Sequence, residues 1–390
     1  MSSGLAIRQI KLSTGEHFPV LVKTGVPLVL PSLWAYDLSL GASFNTVKAY
    51  VGDVLQLYRW SESVGVNLYK QLESLQRPSP SQLRSLAKFI TTLADGRPAA
   101  QSSCDRKLVA ISSFLIFSYD RFIARKALSL LEQRQAEKNR DSTIARLSKL
   151  FKMHSRQSEL EFHASSISAQ KADALDAVAR PDSSSNPFCE AETKIRNYCI
   201  WRVMLETGAR RAEIVLLEID DVRLGPQPAI AFKRPSLTTR SRRKDGASMK
   251  TRPRLLPVSN DLAALIDVYL EDWRDALLKP RRPCTALFPS ARDGRRLSAG
   301  AINKILSQLR GADVVGPMER VHPHGIRKTA LGELSRKDRD EKGRSSSSFG
   351  DTLTYFAGWS PSSKMPRLYL NDSIRDSLNK LMREKRRSDL

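Results

Sequence analysis

Cysteine is scarce in this sequence: four in 390 residues, at Cys104, Cys189, Cys199 and Cys284. No two form a C-x-x-C pair, so neither a zinc cage nor a disulfide framework is suggested, and ordinary reduced core thiols are expected. No apolar run is long enough to cross a bilayer, and the first residues lack a charged segment followed by an apolar core and a cleavage site. A cytoplasmic chain is therefore expected, nucleoid-associated if its partner is DNA. Also missing are internal repeats, a glycine-rich phosphate loop and a persuasive trio of carboxylates that would hold a catalytic metal. No cofactor and no metal site are expected.

Positive charge, by contrast, is abundant. Sixty-four Lys and Arg against 41 Asp and Glu leave a formal charge of +23, and a soluble protein this basic most often faces a polyanion, nucleic acid first. The basic residues do not gather on one amphipathic helix, which disfavours a membrane surface. Hydrophobic and charged fractions of 41% and 27% are those of a globular protein, and the length exceeds one core, which predicts two domains.

Residues 1–40 alternate weakly, as in short strands or an extended N-terminal arm. From Ser43 the spacing turns helical, with Val47, Tyr50, Val51, Val54, Leu57 and Tyr58 on one side and Gly65 closing the run. Further helices fit 79–93, 102–122 and 125–150. Together they predict a helical core-binding domain over 41–155, with Arg106 and Lys107 near a helix start and suited to a duplex backbone. A polar stretch puts the linker at 156–172 and a second domain at 173–390.

In that second domain, helices are expected over 191–205 with Gly208 as C-cap, from Ala212, over 260–277 and over 298–309. Two short apolar runs, 229–232 and 255–258, predict a β-hairpin with a long basic tip. Arg240, Arg242, Arg243 and Lys244 of that tip are candidate DNA contacts. The charge run 337–350 reads as a surface loop. The fold class is mainly α with a small antiparallel β-sheet.

The chemistry concentrates in Val321-His322-Pro323-His324-Gly325-Ile326-Arg327-Lys328-Thr329. Proline suits the first turn of a helix, so Pro323 marks a start. His324 and Arg327, three apart, then share one face of that turn, where free N–H groups and the positive dipole end favour a phosphate. Thr207-Gly208-Ala209-Arg210-Arg211-Ala212-Glu213 supplies a second arginine with a partner three residues on. Two guanidinium forks match the two non-bridging oxygens of a phosphodiester. With Lys250 and Trp359, such a set can stabilise a pentacoordinate phosphate.

This combination resembles the tyrosine recombinase, or phage integrase, family over the C-terminal half of the chain. Thr207–Glu213 is similar to its first box, His324-Gly325-Ile326-Arg327 to its His-x-x-Arg box, and Gly358-Trp359 followed by Tyr369 to its nucleophile box. Met249–Val258 is similar to the segment bearing its hairpin lysine. The resemblance implies a two-domain architecture, a helical core-binding domain and an α+β catalytic domain, acting on double-stranded DNA. Arg210 and Arg327 would clamp the scissile phosphate, and Tyr369 would attack it to leave a 3′-phosphotyrosyl bond. Lys250 would protonate the leaving oxygen, His324 would assist proton transfer, and Glu213 would orient the cluster.

Some residues depart from the family pattern. Trp359 stands where many relatives have a third histidine, Lys328 replaces a common histidine, and the hairpin tip is long enough to leave Lys244 as well as Lys250 open as the hairpin lysine. Tyr355, in the apolar stretch 352–357, reads as a buried structural phenol. Ile374, Leu378, Leu381 and Met382 form an apolar stripe. The resemblance implies that this stripe docks on a neighbouring protomer in a DNA-bound homotetramer; packing on its own domain stays open. A type IB topoisomerase and a noncatalytic DNA-binding regulator are the alternative functions.

Overall fold

The computed structural model describes residues 4–154, 167–236, 243–278, 284–311, 321–342 and 347–366. The chain divides into two compact units, one of Met1–Glu161 with Ser241–Gly246, the other of Phe162–Arg240 with Ala247–Leu390.

The first unit opens with strands β1 (Leu5–Lys11), β2 (His17–Lys23) and β3 (Val26–Pro27), an antiparallel sheet in that order. Six helices follow: α1 (Val29–Ser39), α2 (Phe44–Ser63), α3 (Leu68–Glu73), α4 (Pro80–Thr91), α5 (Gln101–Arg125) and α6 (Leu130–His154). Local signals explain the boundaries. At α4, Ser79 Oγ accepts the Gln82 N–H at 3.2 Å and the Gln82 side chain accepts the Ser79 N–H at 2.8 Å. Pro80 fills the first helical position between them. The strands share a core with the helices: Leu5, Phe18, Val20, Leu21 and Val22 are buried with Trp34, Val47, Val54, Ile111 and Phe114. The residues expected as an arm are thus a layer of the first unit.

The second unit is built around α8 (Ala191–Thr207), which follows α7 (Ala169–Ala179). Ile195, Cys199, Ile200, Trp201, Val203 and Met204 are all buried, so apolar groups point in nearly every direction and the helix must be enclosed. Two of its buried polar groups reach partners: Trp201 Nε1 donates to Asp176 Oδ1 at 3.0 Å, and Arg196 Nη1 to the Pro289 carbonyl at 2.9 Å. After α9 (Arg211–Leu216) come β4 (Val222–Arg223), β5 (Ala229–Phe232) and β6 (Arg254–Pro257), a second three-stranded antiparallel sheet. Ile230 pairs with Leu256 and Ala231 with Leu255. Helix α10 (Asn260–Val268) runs on through a π turn at Tyr269–Trp273 and a 3₁₀ turn at Asp275–Leu277. Then follow α11 (Ala299–Gly311), α12 (Pro323–Lys342) and α13 (Ser347–Ala357).

Two expectations change. The run read as a surface loop over 337–350 is helical at both ends, because α12 continues to Lys342 and α13 opens at Ser347. From Glu333 to Lys342 there is neither Gly nor Pro, and Glu, Arg, Lys and Leu favour helix, so dense charge does not stop it. Among the cysteines, all free, Cys104 and Cys199 are buried, whereas Cys189 is exposed rather than in a core.

Candidate active site

Helix α8 ends at Gly208, which adopts φ +58° as its C-cap. Two residues on, Arg210 is extended and flanks α9. Its N–H is accepted by Glu213 Oε2 at 2.7 Å, so a carboxylate in the first turn satisfies an orphan donor of the helix start. Glu213 is buried and takes a forked pair of bonds from Arg254 Nη1 at 2.8 Å and Nη2 at 3.1 Å, plus the Thr251 hydroxyl. Burial pushes the Glu213 carboxyl up. The Arg254 fork and charge, Thr251 and the Arg210 N–H more than offset it, holding the group below the ordinary glutamate value.

The His-x-x-Arg segment begins α12 as the proline predicts. The cap is His322, whose Nδ1 accepts the Gly325 N–H at 3.0 Å, a role its sequence context did not advertise because Ser, Thr, Asp and Asn are the usual caps. His324 is exposed, its ring nearly parallel to that of His322 with centroids 6.5 Å apart. Arg327 instead turns inward and is buried. Its Nη1 donates to the Gly208 carbonyl at 2.7 Å and its Nη2 to the Ala357 carbonyl at 2.6 Å. The carbonyl-rich, negative ends of α8 and α13 meet there, which is where a guanidinium belongs. Although the residue is exposed overall, partial desolvation of its imidazole lowers the His324 pKa below the ordinary histidine value, and the charges of Arg327, His322, Arg210 and Lys328 lower it further.

Helix α13 closes with paired bonds: Gly358 N–H to the Tyr355 carbonyl and Trp359 N–H to the Thr354 carbonyl, both 3.0 Å, with Gly358 at φ +65°. The turn seats Trp359 against Leu331, Leu353 and Ala357, with the Arg327 guanidinium 5.8 Å from its ring. On the other side, the Gly358 carbonyl accepts the Arg252 N–H at 2.9 Å. A Cβ on Gly358 would lie 2.8 Å from Arg254 Nη1. Tyr355 is not the buried phenol expected: it is 55% exposed. Its hydroxyl donates to the Leu255 carbonyl and accepts the Leu255 N–H, each at 3.2 Å.

Lys250 is exposed and immediately precedes Thr251. Lys244 is exposed, and Arg243 pairs with Asp245 at 2.6 and 2.9 Å; both belong to the segment grouped with the first unit. In the first unit, Arg106 pairs with buried Asp53, and Lys107 Nζ donates to the Ile90 carbonyl at 2.8 Å. Tyr369, Arg240, Arg242 and the stripe from Ile374 to Met382 lie outside the described residues.

Residues 183–343, which hold both arginine boxes, match the profile of the phage integrase family. Enzymes of this family cleave and rejoin DNA. No curated protein matches the chain. Among solved structures, the Tn1549 transposon integrase in complex with circular intermediate DNA is similar in fold at 15% identity and a TM-score of 0.52, over 91% of this chain and 100% of that one. A lambda integrase dimer bound to a COC′ core site matches at 12% identity and TM-score 0.46, covering 87% and 93% of the two chains. XerA recombinase matches at 16% identity and TM-score 0.40, covering 90% and 97%. The matched span contains Arg210, Glu213, Lys250, Arg254, His324 and Arg327; Trp359 follows it.

Proposed function

We propose that this chain is a site-specific recombinase that cuts and rejoins double-stranded DNA through a 3′-phosphotyrosyl intermediate on Tyr369. The observation that carries the reading is the seating of Arg327. Its guanidinium is fixed by the carbonyls that end α8 and α13, which brings the Gly208-Ala209-Arg210 turn, the His324 helix and Trp359 to one place. Arg210 and Arg327 would hold the non-bridging oxygens, and the Trp359 indole, a donor without a transferable proton, would add a hydrogen bond. His324, whose pKa is lowered by desolvation and by its cationic neighbours, is suited to accept the proton of a phenol whose ordinary pKa near about 10 makes it a poor nucleophile. Lys250, next to Thr251 that binds Glu213, is favoured over Lys244 as the acid for the departing 5′-oxygen. Because the covalent bond keeps the phosphodiester energy, rejoining needs no ATP. The basic tip and helix starts would add phosphate contacts, and the protein would work as a homotetramer on DNA.

The test is a gel that resolves covalent protein–DNA adducts on a nicked suicide duplex, run in excess chelator. Wild-type protein should form adducts there and Tyr369→Phe none, while still binding the duplex. Adducts with Tyr369→Phe, or none with the wild type, would overturn the reading.

A further inference from the structure

Arg254 has no place in the chemistry above, yet its side chain is only 1% exposed, like that of Glu213. A guanidinium removed from water must have its N–H groups satisfied, and the way this one is satisfied carries the inference. Nη1 and Nη2 donate to the two oxygens of Glu213 at 2.8 and 3.1 Å. Nη1 also reaches Thr251 Oγ1 at 3.2 Å, and Nε donates to the Phe356 carbonyl at 2.9 Å. The plane is backed by the Phe232 ring, 4.5 Å from Cζ.

Each partner is one step from a residue assigned to the reaction. Glu213 receives the Arg210 N–H at 2.7 Å. Thr251 follows Lys250 directly, and Arg252 then bonds the Gly358 carbonyl at 2.9 Å. Phe356 precedes Ala357, whose carbonyl holds Arg327 Nη2 at 2.6 Å. Beyond them come Gly358, with no room for a Cβ beside Arg254, and Trp359. We propose that Arg254 is a positioning residue that ties the Arg210 turn, the Lys250 segment that leads into β6 and the Arg327–Trp359 corner into one rigid frame. It touches no DNA. The inference rests on the recombinase reading for its effect on rate, but the frame itself is independent of it. A salt bridge alone would need only Glu213; the planar fork with a third donor pointing another way in the same plane is what links three segments, and an ammonium cannot reproduce it.

Arg254→Lys keeps the charge opposite Glu213 and loses the fork. Thr251→Val, nearly isosteric, cuts only the links that the Lys250 segment makes to Glu213 and Arg254 through the Thr251 hydroxyl. Both are compared with wild type in single-turnover adduct formation at saturating duplex, in duplex binding, and in amide hydrogen exchange. Displacing reacting groups by about 1 Å costs on the order of 100-fold in rate, so Arg254→Lys should slow adduct formation by about that factor and Thr251→Val by about 10-fold, with binding within about threefold. Exchange should rise together over 210–216, 249–256 and 355–360 in Arg254→Lys. An unchanged rate, or one that falls only in step with binding, overturns the positioning role. Unchanged exchange in those three segments overturns the frame even if the wild type forms no adduct, and that last result counts against the recombinase reading alone.

Discussion

At the residue scale, the position of His324 among cations has a direct consequence for pH. Its pKa is depressed in the folded protein, so the neutral imidazole is the favoured form. Between that value and the ordinary one of about 6.5 the unfolded chain binds more protons, so stability falls as pH drops through this window. The acid limb of single-turnover cleavage should accordingly lie below about 6.5. Lys328→Gln, which removes one of the depressing charges, should move it upward; a limb that stays put would deny Lys328 that influence. Glu213 makes a harsher prediction. Truncating it to Ala leaves the Arg254 guanidinium buried opposite nothing, which costs on the order of 3–5 kcal/mol and should appear as a large drop in melting temperature. Tyr355→Phe loses only bonds from a half-exposed hydroxyl, so about 1 kcal/mol is expected, with adduct formation intact.

At the element scale, two glycines end helices that the site depends on. Gly208 and Gly358 both sit at positive φ, where any other L-residue costs roughly 1–2 kcal/mol. A Cβ at Gly208 would meet the Ala330 and Phe356 side chains at 3.3 and 3.4 Å, whereas at Gly358 it would meet Arg254 Nη1, Thr251 Cβ and the Arg252 carbonyl at 2.8, 2.9 and 3.1 Å. Gly358→Ala should therefore destabilise more than Gly208→Ala in thermal melts; the reverse order would contradict the packing. Such ends show how far the sequence could be read. Helical spacing located α2, α4, α5 and α8, Gly208 and Pro323 marked an end and a start, and the apolar runs at 229–232 and 255–258 paired as a hairpin, all from signals carried within a few residues. Arg254 was invisible because nothing near it in sequence signals Glu213, Thr251 and Phe356 as partners; only folding assembles them. The same holds for His322, whose imidazole replaces the usual hydroxyl or carboxylate cap, and for Tyr355, whose apolar neighbours pointed inward while its own ring lies at the surface.

At the scale of the whole molecule, a formal charge of +23 should dominate affinity for DNA. Each phosphate neutralised releases counterions and adds about −0.9 to the slope of log affinity against log salt. Several contacts together should weaken duplex binding on the order of 10³-fold between about 50 and 200 mM salt, measured by fluorescence anisotropy; a flat response would dismiss the polyanion. Deleting the chain after Ser373 should spare binding of one protomer and impair assembly of the DNA-bound homotetramer, as read by native gel shift, and unimpaired assembly would assign the stripe to its own domain. The bonds that Tyr355 makes to Leu255 bear on how such a chain survives at high concentration. Strand β6 borders its sheet, and the Leu255 N–H and carbonyl are the outward groups by which a foreign strand would attach. Both are taken by one phenol, and just before the strand the Arg252 N–H is taken by the Gly358 carbonyl. Tyr355 thereby caps the outward peptide groups of Leu255 against pairing with a foreign strand.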